Sequence, residues 1–146
     1  MRRLIGLTGM KRSRKVTLVL VTLCCVSLIV AFLIGISDNL PGLVLCYVAV
    51  TALILAFVHT WRQVKRFLIL LGASLIGFPL FVILHNLFYG LGQMAADIIV
   101  LGPLLEFLHA VFFLVAIMVC PPGILIGAVG SVVTYCKGRQ VSDETP

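Results

Sequence analysis

The sequence predicts an all-α fold: an integral membrane bundle of four transmembrane helices, with a short outer-surface or re-entrant helix before the fourth. Three observations lead there. Apolar stretches at about residues 16–36, 43–59, 67–89 and 110–135 approach or exceed the roughly 20 residues that cross a bilayer as a helix. Composition agrees, with 62% hydrophobic residues, 11% charged and a mean hydropathy of +1.23, where soluble domains carry about 25% charged residues. The third observation is that the basic residues fall only in alternate polar breaks. A soluble chain of 146 residues has no interior large enough for this much apolar surface.

The charge distribution orients the bundle. Arg2, Arg3, Lys11, Arg12, Arg14 and Lys15 precede the first stretch, Arg62, Lys65 and Arg66 fill the second break, and Lys137 and Arg139 follow the last stretch. The first and third breaks hold only acids, Asp38 and Asp97, with Glu106 nearby. Lys and Arg are retained on the cytoplasmic side. Both termini are therefore expected to be cytoplasmic, in a multi-pass protein of the cell membrane. The domains read as a basic cytoplasmic segment over residues 1–15, a transmembrane domain over 16–136 and a cytoplasmic tail over 137–146. Topology accounts for the net charge of +6, so nucleic acid is not an expected partner. The lipid bilayer is, and each basic residue near anionic headgroups adds about 1 kcal/mol to that attraction.

The first helix follows the basic segment. Its apolar run is longer than the roughly 7–15 residues of a signal-peptide core, which favours a retained helix. Gly35 and Ser37 are the small residues that a cleavage before Asp38 would use. The break from Ser37 to Gly42 combines Asx residues with Pro41-Gly42, a strong turn signal. The second helix ends at the charged loop His59–Arg66 and the third resumes at Phe67. Both connections are short, so consecutive helices are expected to be antiparallel neighbours. Trp61 and Tyr135 fall at the inner interface and Tyr47 and Tyr89 near the outer one, where amphipathic rings settle. Pro79, inside the third helix, predicts a kink that neighbouring helices tolerate.

Residues 90–136 admit two readings. In the preferred one, a single crossing runs from about Ala110 to Tyr135, kinked at Pro121 and Pro122. Residues 93–109 then form a short outer helix, broken at Gly102-Pro103. In the other, two helices turn at Pro121-Pro122-Gly123, which leaves a second arm short of a bilayer's width.

Small residues recur at four-residue spacing, and such stripes let helix backbones approach closely in lipid. Ser27, Ala31 and Gly35 form one in the first helix, and Gly123, Gly127 and Ser131 another in the last. Ala52 with Ala56 and Ala73 with Gly77 are shorter pairs. The stripes serve packing within the chain, a homo-oligomer or a membrane-protein partner. The five cysteines make an odd count, lie within or at the end of a span and form no Cys-x-x-Cys pair, so they read as packing residues.

Ionisable groups inside spans are costly and default to functional candidates. Glu106 and His109 are three apart, hence on one helix face, and with His85 they offer a mononuclear zinc set. Glu-x-x-His is also half of a carboxylate-bridged di-metal motif, but a chain with five acids, two of them in the tail, cannot supply the other half. Haem between His85 and His109 is the second cofactor reading. The preferred account needs no cofactor: His85 bonds a backbone carbonyl, Asn86 caps or bridges helices, and Glu106 and His109 face water. No serine–histidine–acid set or phosphate loop appears. If copies assemble into a pore, Asn39, Asp97 or Glu106 would line its mouth.

The segments Phe78-Pro79…Leu84-His85-Asn86-Leu87-Phe88-Tyr89 and Cys120-Pro121-Pro122-Gly123-Ile124-Leu125-Ile126-Gly127 resemble a pattern in small uncharacterised multi-pass prokaryotic membrane proteins. In those a His-Asn-Leu-x-Tyr segment ends one helix and a Cys-Pro-x-Gly stretch kinks the next. The resemblance covers the second half of the chain and brings no activity with it. It implies a prokaryotic cytoplasmic membrane and a single kinked fourth helix. The expected function is that of a non-enzymatic subunit or oligomer-forming component. The alternatives are a metal- or haem-binding protein with an outer-leaflet His/Glu cluster, and a small oligomeric pore.

Overall fold

Long apolar runs with few breakers leave the backbone one economical way to satisfy its own polar groups, and the chain takes it. The computed structural model describes residues 2–35, 39–95 and 98–143, with side chains over 13–35, 39–95 and 98–139; all regular structure among them is helical. Helix α1 is Arg2–Ile34, α2 Leu40–Val58, α3 Val64–Met94, α4 Leu101–Leu114 and α5 Cys120–Asp143. A π-helical segment, Val115–Val119, joins α4 to α5 without a break. Four helical stretches are long and apolar enough to cross a membrane: Ser13–Ile34, Leu40–Val58, Val64–Met94 and Leu101–Arg139. The chain divides into two units, Met1–Arg62 and Gln63–Pro146.

The first unit is an antiparallel hairpin of α1 and α2. Small side chains make its seam: Cys24 packs on Ala49 and Ala52, with Leu20 against them. Ala31 and Ala49 are fully buried, and Ser27 is 4% exposed. Small residues here allow close approach, so dispersion contacts between the two backbones add up along the seam. Gly35 is exposed and plays a different part from Ser27 and Ala31. Its φ of +91° is the left-handed conformation that closes a helix, and its N–H donates to the Ala31 carbonyl at 3.0 Å.

The second unit pairs α3 with the whole run from α4 to α5. Its lower half is a ladder of close approaches. A Cβ on Gly130 would overlap the Phe67 ring, one on Gly127 would lie 2.8 Å from the Leu71 nitrogen, and one on Gly123 would strike the Ser74 hydroxyl. On α3, Gly77 continues the ladder opposite Cys120. The upper half is aromatic: Phe81 stacks on Phe112 at 6.0 Å and Phe88 lies 5.2 Å from the same ring.

The fourth helical run is one continuous element. Pro121-Pro122-Gly123 makes no turn between two helices, and a Cβ on Gly123 meets α3 instead. The prolines remove the N–H groups that would bond Ile117 and Met118, and their rings press on those carbonyls. The turn just before them is widened into the π segment, a recognised way of absorbing such a conflict. The segment 93–109 is not a separate short helix either. Gln93 and Met94 close α3, and residues 101–109 open α4. Pro103 sits in the first turn of α4, where a helix has no partner for its N–H, so Gly102-Pro103 starts the helix rather than breaking it. Helix α3 likewise runs through Pro79.

Candidate functional site

Two histidines and the described carboxylate of the second unit gather at one end, where α3 finishes and α4 begins. Helical spacing places His85 and Tyr89 on one face of α3, four residues apart, and Glu106 and His109 on the facing side of α4. His85 Nδ1 donates to the backbone carbonyl of His109 at 2.9 Å. A carbonyl only accepts, so Nδ1 carries a proton in this contact. The two imidazole centroids are 5.3 Å apart, Phe113 flanks His85 at 5.0 Å, and Tyr89 meets His109 edge-on at 5.6 Å.

Next to these rings is a cleft of about 230 Å³, lined by Tyr89, Gly92 and Gln93 of α3 and by Gly102, Pro103, Glu106 and His109 of α4. Glycine on both walls makes the room: a Cβ at Gly92 would already touch Leu105. Glu106 is exposed and is the one acidic side chain among those described.

The zinc set is brought together only in part. The His85–His109 spacing resembles that of two imidazoles on one tetrahedral zinc, whose centroids lie about 5 Å apart for Zn–N bonds near 2.0 Å. Glu106 shares the cleft with His109, yet no group of three His, Cys, Asp or Glu side chains among the described residues is placed to hold a metal ion. Asn86 turns away, donating to the Val82 carbonyl of its own helix at 2.8 Å. Of the residues considered for a pore mouth, Asn39 donates its amide to the Ile34 carbonyl at 3.4 Å, and Asp97 lies outside the described residues, as does Ser37 of the cleavage reading.

Sequence reasoning missed two things. The first is the aromatic stripe. Phe81, His85, Phe88 and Tyr89 recur at helical spacing and face His109, Phe112 and Phe113, a pattern that could have been read as one face. The second is His59. It is half-buried, donates from Nδ1 to the Ala56 carbonyl at 3.0 Å, and its Nε2 lies 3.4 and 3.3 Å from the hydroxyls of Ser13 and Thr17 of α1, the latter donating its own proton to the Ser13 carbonyl. It clasps the end of α2 to α1, and no local signal marked it. A larger groove of about 490 Å³ in the first unit, walled by residues such as Leu20, Leu23, Val44, Val48 and Leu55, is almost wholly apolar and offers little to orient a polar ligand. Comparison of the chain with protein-family models, with curated proteins and with solved structures returns no match, so the resemblance read in residues 78–127 stands without a matched relative.

Proposed function

We propose that the chain is a four-pass integral protein of the cytoplasmic membrane, with both termini on the cytoplasmic side, acting as a non-enzymatic subunit or oligomer-forming component. One observation carries the reading: in each hairpin the basic side chains sit at a single end. Arg14 and Lys15 are among the first side chains described in α1, and Arg62 follows α2 at the end where Ser13 and Thr17 meet His59. Lys65 and Arg66 open α3, and Lys137 and Arg139 close α5, at the end where Phe67 meets Gly130. Between these ends the helices present apolar side chains outward. Only 17–33% of the most apolar window in each candidate span is buried, a level that water would punish and lipid accepts. Those uncovered faces also support association with further copies or another membrane protein.

Single cysteines in an otherwise cysteine-free chain test the orientation. Residues 63 and 138 should resist a membrane-impermeant thiol reagent in intact cells and react after lysis, while residue 98 reacts from outside. Labelling of 63 and 98 from the same side would sink the four-pass arrangement. Native mass spectrometry from a mild detergent tests the second part, since a stable assembly supports a subunit role and a bare monomer at every concentration argues against it.

A further inference from the structure

The geometry points to the cleft between the end of α3 and the start of α4 as a binding site for an organic ammonium group, carried by a lipid headgroup or a small free amine. The inference concerns this cleft alone and does not depend on which side of a membrane it faces.

The electrostatics select a cation. Glu106 lines the cleft, and the described Lys and Arg side chains of this unit all lie at its opposite end. The carboxyl end of α3 enters through Gly92 and Gln93, with no basic residue in its last turn, so the negative end of the helix dipole is unopposed there. The start of α4 would ordinarily favour an anion, but its donors are largely taken. Gly102 N–H bonds the Ile98 carbonyl at 3.0 Å, Leu104 N–H reaches Val100 at 3.4 Å, and Pro103 has no N–H. An anion would face the Glu106 carboxylate as a like charge; a cation would meet that carboxylate, a side-chain amide oxygen and an aromatic ring.

The shape selects an organic cation over a metal ion. Tyr89 brings a ring to the wall, and ammonium groups are held against aromatic faces as well as by carboxylates. A transition metal would require a tight set of donors, which the described residues do not assemble here. A volume of about 230 Å³ matches a headgroup-sized ligand rather than a whole lipid. Met94, Ile99 and Val100 stand exposed beside it, at 87%, 91% and 76%, and would accompany the apolar part of an amphiphile.

The test uses the full chain in nanodiscs of phosphatidylethanolamine and phosphatidylglycerol in equal amounts, read by native mass spectrometry, with ethanolamine titrated separately in detergent. Retention of phosphatidylethanolamine over phosphatidylglycerol assigns the lipid headgroup, and saturable ethanolamine binding without lipid preference assigns the free amine. In either case Glu106→Gln should weaken retention at least about tenfold, the scale of losing a charge-assisted contact. Gly92→Leu, which fills the cleft and keeps the carboxylate, should do the same and serves if Glu106→Gln does not fold. The proposal is overturned if neither ammonium probe is held, if both folded variants hold it as the parent does, or if zinc alone is retained. Cysteine labelling, which reads topology, is unaffected by any of these results.

Discussion

A single methyl group separates the glycines that hold the second hairpin from those that merely occupy it. At Gly127 the obstacle to a Cβ is the Leu71 backbone, and at Gly130 it is the buried Phe67 ring. We predict that Gly127→Ala and Gly130→Ala each cost about 1–3 kcal/mol, as overpacking does. Gly72→Ala meets nothing within 4 Å and should be neutral or stabilising by up to about 1 kcal/mol through helix propensity. Unfolding in mixed micelles measures all three, and equal losses at 72 and 127 would refute the ladder. This part of the fold was half legible. Four-residue spacing pointed at Gly123, Gly127 and Ser131, and Ser131 is buried with its hydroxyl donating to the Gly127 carbonyl at 2.7 Å. The same spacing pointed at Gly35, whose role is set by its backbone angle, a quantity that spacing does not encode. His59 was illegible because its partners, Ser13 and Thr17, are remote in sequence.

At the scale of elements, the π segment is where the fourth helical run takes up its two prolines. At about 100° per residue a regular helix already returns His109 and Gly127 to one face, and the aromatic residues before the segment and the glycines after it do meet the same helix, α3. Replacing Pro121 and Pro122 with alanine restores the missing donors and removes the reason for the wide turn. The expected outcome is an ordinary α-helical turn with both faces still on α3. In a cysteine-free background, engineered cysteine pairs at 92/105 and 74/123 should cross-link in the parent and in the double variant alike. Loss of either would show that the π segment itself sets the register. Sequence patterns identified these helices well and their ends poorly. Proline marks a disruption without saying which: Pro103 begins a helix, Pro79 rides within one, and Pro121 with Pro122 widens one. The outcome depends on where the unpaired N–H would fall, which is known only once the helix start is fixed.

At the scale of the whole molecule, charge placement is the most readable feature and the most consequential. Replacing Arg62, Lys65 and Arg66 together with glutamine removes the basic residues from the junction of α2 and α3, one in the connection and two in the first turn of α3. A mixed population of orientations is expected, seen as partial exposure of a cysteine at 63 to impermeant reagent in intact cells; unchanged protection would assign orientation to the basic residues before α2 and at the end of α5. The cleft near Glu106 was less legible. Its carboxylate and histidine were visible as a pair, but the walls come from glycines and Gln93, residue types that carry no chemical signature until two helices are set side by side. A final consequence follows from how little of each helix is buried. Most outward positions need only be apolar, so they are free to drift among Leu, Ile, Val and Phe, while the narrow seams of Ala49 and Ala52, and of Gly123 and Gly127, tolerate almost no change. A saturation-mutagenesis map of the chain should therefore show thin lines of intolerance spaced three and four residues apart on a permissive background.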